Sequence, residues 1–280
     1  VAQYPQVASS NINPFLHYLL YGLEQGTNPN PYFFTAWYLN RYVQGRAPGM
    51  HPLLHYLRQG LKAKTWPNPY FDPAWYGRIY PESAGTEALA HFLAHGEEFG
   101  FKPNPYFDLT WYQEQYPQVQ QMGLHPLQHY LSHGLSEQID PHPYFDSRWY
   151  LDEYPEARGT GLCPLAHFLE HAESGQVNPN AYFDVQWYRD SYPEVVKNNL
   201  DPVLHYALFG VKERRDPGPY FSTDWYLWKY ADVSALAMNP LLHYLRIGAA
   251  EGRDPGPFFD SHWYGQKYPE AAITGMPSLL

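Results

Sequence analysis

At 280 residues the chain is long enough for a large core, and its apolar share of 44% is ordinary, but an aromatic share of 18%, from 27 Tyr, 15 Phe and 9 Trp, is not. A formal charge of −10, with Arg214-Arg215 as the single basic pair, excludes a nucleic-acid or anionic-membrane binder, which needs clustered Lys and Arg. The lone Cys163 excludes an intrachain disulfide or a Cys-based metal cluster, and no stretch approaches the ~20 apolar residues of a membrane span.

The chain opens inside a motif. Val1-Ala2-Gln3-Tyr4-Pro5 aligns with the later stretch Gln113 to Pro117, so the Trp-Tyr pair expected there lies before residue 1. The missing signal peptide therefore carries no weight. From Trp37 onward the dipeptide Trp-Tyr recurs at Trp75, Trp111, Trp149, Trp187, Trp225 and Trp263, in steps of 38, 36, 38, 38, 38 and 38. A second marker, His followed by Tyr or Phe, begins at His17, His55, His91, His129, His167, His205 and His243 with the same steps, including the single 36. Two markers that share one irregularity define a true structural unit with one deletion, between Trp75 and His91.

Each unit begins with a short first helix, read as Tyr-Phe-Asp-x-x-Trp-Tyr-x-x-x-Tyr-Pro. In the clearest copy Asp72 suits the N-cap, Pro73 the first helical position, and Phe71 with Tyr76 the spacing of a hydrophobic staple. Tyr76 and Tyr80 share a face, and Pro81 ends the helix after two to three turns. The second helix reads Pro-Leu-x-His-Tyr-Leu-x-x-Gly. With Asn239 as cap, Leu241, Tyr244, Leu245 and Gly248 form one stripe. Glycine recurs there as Gly22, Gly60, Gly96, Gly134, Gly210 and Gly248, with Ala172 the exception, which predicts a close neighbour on the buried side. Gly26 and Gly252 read as C-caps, followed by Pro-rich links such as Asp254-Pro255-Gly256-Pro257.

The expected architecture is all-α: an α-solenoid of about seven tandem helical hairpin repeats, period 38 with one unit of 36. The whole of 1–280 reads as one array, with units 37–74, 75–110, 111–148, 149–186, 187–224 and 225–262 and partial units 1–36 and 263–280. Met276-Pro277-Ser278-Leu279-Leu280 breaks off as another second helix begins, so the array reads as cut mid-unit at both ends.

The wording of Asn239 to Leu245 (Asn-Pro-Leu-Leu-His-Tyr-Leu), Gly248 to Pro255 (Gly-Ala-Ala-Glu-Gly-Arg-Asp-Pro) and Phe259 to Tyr264 (Phe-Asp-x-x-Trp-Tyr) resembles a repeat found beside bacterial glycosyltransferase domains of polysaccharide biosynthesis and in some large secreted calcium-repeat proteins. The resemblance covers essentially the whole chain. It implies an accessory module and supplies no catalytic residue. Phe34 and Ser222 depart from the cap Asp, and Val43 and Ala231 from the Pro.

Candidate site residues divide between packing and ligand roles. The repeated Trp is read chiefly as inter-repeat core, with sugar stacking as the alternative; Trp66 and Trp228, outside the pattern, are the better stacking candidates. The repeated His is read as structural, its ring bonded to a carbonyl, Asp or Tyr. The i, i+4 pairs His91/His95, His129/His133 and His167/His171 could chelate a zinc-like ion, although no third ligand is dictated and no metal is favoured. Asp72, Asp108, Asp146, Asp184 and Asp260 are expected to cap helices rather than bind calcium, because Ser222 and Phe34-Thr35 stand in the same place. Cys163 occupies a cap position and has no base beside it, while Glu97-Glu98 and Asp152-Glu153 read as solvated. Phosphate loops, the Gly-x-Ser-x-Gly elbow and His-Glu-x-x-His are missing, so neither an enzyme nor a cofactor is expected.

The leading functional expectation is a scaffold that holds a protein partner, or an adjacent catalytic domain of the same polypeptide, in bacterial surface-polysaccharide machinery. A carbohydrate-binding array and a self-assembling surface filament are the alternatives. Glycosyltransferase linkage implies the cytoplasm; otherwise the cell surface is implied.

Overall fold

The computed structural model describes residues 12–45 and 49–269. The opening Val1–Pro5 motif and the Met276–Leu280 break therefore lie outside the described residues. Among the described residues all regular structure is helical and no strand forms; Asn180 with Phe183 and Gly218 with Phe221 make isolated bridges. The helices are short and come in repeating pairs.

The first helix of the pair spans Pro73–Ile79, Leu109–Gln115, Ser147–Glu153, Val185–Ser191, Thr223–Lys229 and Ser261–Lys267. Asp72, Asp108, Asp146, Asp184 and Asp260 each accept a first-turn N–H, as expected of caps. The staple forms as well, with Phe71 and Tyr76 ring centroids 5.3 Å apart. Ser222 does not behave as expected, for its side chain makes no cap bond. The start of that helix is held from the link, where Asp216 Oδ1 accepts the Thr223 N–H at 2.7 Å, as Asn178 does for Val185 beside the Asp184 cap. Asn28 Oδ1 does the same for Thr35 N–H at 2.9 Å, behind the uncapping Phe34.

After Tyr-Pro the chain does not turn directly into the second helix. It makes a further short helical piece, Pro81–Ser83, Gln118–Gln121, Glu156–Gly159, Pro193–Lys197 or Ala231–Ala235, so these units carry three helical segments rather than the expected two. Proline ends one hydrogen-bond ladder but, with its fixed φ, readily starts the next. Val119, Ala157, Val195 and Val233 from these pieces are buried and anchor them.

The second helix spans Ala88–Phe99, Pro126–His133 and Pro164–His171 as α-helix. In four other units it begins as α-helix and widens into a π-helical turn, Tyr18–Gly22, Tyr56–Gly60, Tyr206–Gly210 and Tyr244–Gly248. The recurring glycine has the close neighbour expected of it. A Cβ at Gly60 would come within 2.5 Å of the Tyr38 hydroxyl, one at Gly210 within 2.7 Å of the Tyr188 hydroxyl, and one at Gly248 would collide with the Tyr226 hydroxyl. Each of those phenols comes from the first helix of the same unit. Gly26 and Gly252 close their helices in the left-handed region, at φ 62° and 70°.

The described residues group into two compact bodies, one of the residues up to 142 with 161–169 and one of 143–160 with the residues from 170 on. The division follows side chains rather than unit borders. In the first body Phe168 packs on Tyr106 and Cys163 on Tyr70; in the second Tyr144 packs on Tyr206.

Candidate functional site

The residues that recur most strictly build one frame, and the candidate site is whatever that frame leaves open. Tyr38, Tyr76, Tyr112, Tyr150, Tyr188 and Tyr226, the second member of each Trp-Tyr pair, are 0% exposed. Their hydroxyls meet the repeated histidines: Tyr38 with His55 Nδ1 at 3.0 Å, Tyr76 with His91 at 2.9 Å, Tyr112 with His129 at 2.8 Å, Tyr188 with His205 at 3.0 Å and Tyr226 with His243 at 2.9 Å. The structural role expected for the His column is therefore observed, with Tyr as its partner. Burial pushes these phenols up and holds His129, His205 and His243 below the usual imidazole range.

The Tyr of each Tyr-Pro step has a different task. Its ring lies 4.7–5.0 Å from the buried Tyr four residues earlier, and its hydroxyl accepts a backbone N–H from the Pro-rich link. Tyr42 takes Trp66 N–H, Tyr80 takes Lys102, Tyr116 takes Asp140, Tyr154 takes Asn178, Tyr192 takes Asp216 and Tyr230 takes Asp254. The links in turn join neighbouring units. Asp72 N–H donates to Pro103 O, Asp108 to Pro141, Asp146 to Pro179, Asp184 to Pro217 and Ser222 to Pro255. Buried Asn68, Asn104 and Asn180 donate to Tyr32 O, Tyr70 O and Tyr144 O one unit back.

A third tyrosine reaches further, and sequence reasoning misses its role. Within the first body the Tyr70 ring packs edge-on against Tyr130 at 5.8 Å, while its hydroxyl accepts the Cys163 N–H at 2.8 Å, 93 residues away. Within the second, Tyr144 packs against Tyr206 at 6.2 Å and accepts from Asn239 Nδ2 at 2.5 Å. One phenol thus touches the second helix two units on and the cap of the unit after that. The signal was present: this Tyr recurs as Tyr32, Tyr70, Tyr106, Tyr144, Tyr182 and Tyr220 yet has no use within its own hairpin.

The repeated Trp lies at the edge of the core: Trp37 packs against the buried cluster of Phe33, Tyr38, Val43 and Tyr56. Trp37, Trp75, Trp111, Trp149, Trp187 and Trp225 are half-buried, and Trp263 is exposed. Each indole stands edge-on against the Tyr five residues later, 6.0–6.2 Å away from Trp37 to Trp225, so it covers the frame and keeps only part of its surface exposed. A residue at N3 lies about 100° around the helix from N4, and N4 takes the interior. The half-buried indoles are flanked three and four residues on by exposed side chains that differ from unit to unit: Asn40/Arg41, Glu114/Gln115, Asp190/Ser191 and Trp228/Lys229 among them. Trp228 is 76% exposed, whereas Trp66 is half-buried.

The metal candidates do not converge. His91 and His95 rings lie 5.0 Å apart and His129 and His133 stack at 4.7 Å, but Nδ1 of His91 and His129 is committed to tyrosine. His133 Nδ1 faces His129 O at 3.2 Å. His167 and His171 are half-buried on Pro164–His171. Among the described residues no group of three or more His, Cys, Asp or Glu side chains could hold an ion. Cys163 is buried, its thiol donates to Tyr130 O at 3.2 Å, and burial pushes it up to about 11, which leaves no nucleophile at neutral pH. Glu98, Asp152 and Glu153 are exposed as expected, with Asp152 paired to Arg158; the Glu97 side chain lies outside the described residues.

Among the described residues no helix is long and apolar enough to cross a membrane. No family model, curated protein or solved structure matches the chain.

Proposed function

We propose that the chain is a non-catalytic scaffold: units stacked serially as an α-solenoid that holds a protein partner, or a catalytic domain joined to it, through the side chains the frame does not use. The observation that carries this reading is the allocation of residues. Tyr, His, Asn and Asp at repeated positions are bonded to one another or to backbone. What remains exposed changes from unit to unit, as at Asn40, Arg78, Glu114, Asp152, Asp190 and Trp228. Catalysis needs converging groups with shifted proton affinities in a cleft, whereas the shifts here follow from packing of the frame. The resemblance to repeats beside bacterial glycosyltransferase domains supports a place in surface-polysaccharide machinery.

In vivo cross-linking with the intact chain tests this, with Leu208→Ser, Phe209→Ser and Trp228→Ser together as the comparison. These side chains are 61%, 49% and 76% exposed, so helix content should hold. A scaffold cross-links to a defined partner and the triple variant weakens that product. An unchanged pattern, or none above background, contradicts the reading.

A second reading, polysaccharide binding along the Trp row, draws on the part of each half-buried indole that is exposed and on its polar flanks. It expects indole fluorescence to be quenched by an acidic or neutral polysaccharide and the effect to shrink in Trp228→Ser.

A further inference from the structure

The N-cap of the second helix does two jobs at once. It accepts the first-turn N–H groups of its own helix, and it touches the preceding units. His51 Nδ1 accepts Leu53 N–H at 3.3 Å while its ring stands edge-on to Tyr18 at 5.0 Å. Glu87 accepts Leu89 and Ala90 N–H and takes the Tyr56 hydroxyl at 2.9 Å. His125 Nδ1 accepts Leu127 N–H at 3.2 Å, with its ring edge-on to Phe92 at 5.3 Å and to Tyr32 at 6.2 Å. An imidazole can cap only while Nδ1 keeps its lone pair, because a proton there would point at the helix N–H. Both His caps must therefore be neutral and carry their proton on Nε2. In the second body the corresponding caps are Asp201 and Asn239, which accept Leu204 and Leu242 N–H at 3.0 and 3.1 Å through oxygen.

We infer that His51 and His125 form an acid-sensitive joint in the first body: protonation of either imidazole removes its helix cap and puts a charge against the aromatic ring of the preceding unit, so this segment loosens in mild acid more than the helices capped by Asp201 and Asn239, whose caps do not titrate there. The device is separate from the scaffold reading and does not depend on which partner is held. The titratable groups facing the two rings are phenols, Tyr18 at His51 and Tyr32 at His125; Phe92 is apolar. Among the described residues no charged neighbour offsets the burial of either one, and at His51 only a hydrogen bond to the Tyr18 backbone works against it. Desolvation lowers His51 and brings His125 down to about 4. An imidazole of ordinary pKa about 6.5 in the opened state and about 4 in the closed one favours opening roughly 30-fold more at pH 5 than at neutral pH.

Hydrogen exchange of the full chain at pH 7.5 and pH 5.0, corrected for intrinsic rates, reads this directly. Peptides over 126–133 should gain roughly 30-fold in opening, and those over 52–60 should gain as well, well beyond those over 202–210 and 240–248. His51→Asn with His125→Asn installs the residue used at Asn13 and Asn239, and should abolish the difference. Uniform loosening of all four segments, or loosening that persists in the double variant, overturns the inference. Should that variant fold poorly, NMR titration of the wild-type imidazoles decides: a His125 pKa at or above the ordinary 6.5 overturns it as well.

Discussion

Gly210→Ala adds one methyl group where two buried phenols already meet. The new Cβ would lie 2.7 Å from the Tyr188 hydroxyl and 2.9 Å from Cδ2 of Tyr206, both rings being 0% exposed. Neither phenol has slack, since Tyr188 is bonded to His205 Nδ1 and Tyr206 to Thr223 Oγ1 at 3.1 Å. Overpacking of this kind costs about 1–3 kcal/mol, and a displaced Tyr–His bond adds about 1 kcal/mol. The better helix propensity of Ala returns about 1 kcal/mol, for a net loss of about 1–3 kcal/mol. The chain contains its own version of this change: where Ala172 replaces the glycine, the second helix stops at His171 and Ala172–Ser174 tightens into a 3-10 turn. Urea unfolding followed by circular dichroism, with Gly159→Ala as control, measures the effect. Gly159 is helical with nothing within 4 Å of its added Cβ, so that variant should be neutral or stabilised. If Gly210→Ala is as stable as Gly159→Ala, the claimed close approach of Tyr188 is wrong.

Tyr144→Phe should destabilise by about 1 kcal/mol through loss of the Asn239 bond, and Asn239→Asp, which keeps the cap oxygen but removes the donor, should show coupling of about 0.5 kcal/mol or more in a double-mutant cycle. Additive effects would deny the long-range contact. Ala237→Gly should stabilise by about 1 kcal/mol, because Ala237 sits at φ 50°, where Gly123 and Gly161 stand in other units; an unchanged melting temperature would contradict this. His205 and His243 are held below the ordinary imidazole range by burial, so the unfolded chain binds protons that the folded form refuses. Their contribution is complete above pH about 6.5 and drains away as pH falls toward the lowered folded values, so the thermal midpoint of the second body should drop from pH 7 to pH 5. Cys163 should resist a thiol reagent until the chain unfolds, and fast labelling of the native protein would refute its burial.

The period, the helix pair, the Asp caps and the structural His were legible because each is written within about 40 residues and repeated. What was not legible involves choice among neighbours in space. Trp at N3 and Tyr at N4 are adjacent aromatics, and either could face inward on propensity alone. The structure gives the interior to Tyr because Tyr76 at N4 reaches Phe71, Tyr80 and His91 together, which an N3 residue cannot. Ser222 looked like a cap by type, yet its side chain makes no cap bond and the helix start keeps only its link contact to Asp216. The role of Tyr70 could not be read at all from its own surroundings, since its partner is the backbone of Cys163, a group every residue possesses.

That last contact explains a variability that otherwise looks careless. The cap position holds Asn13, His51, Glu87, His125, Cys163, Asp201 and Asn239, seven occupants of five chemical types in an array that keeps Tyr and His nearly fixed. A cap alone would favour Asn, Asp or Ser throughout. The position is also met by rings or phenols from units before it, and the partner differs each time: the Tyr56 hydroxyl meets a carboxylate, the Phe92 ring an imidazole edge, and the Tyr144 hydroxyl an amide donor. Each cap is therefore fitted to what lies behind it, and the repeated units are interchangeable in their frames but not at their joints. Moving Glu87 to position 125 would leave the capping oxygens in place but set a carboxylate against the Phe92 ring, where Glu87 has the Tyr56 hydroxyl.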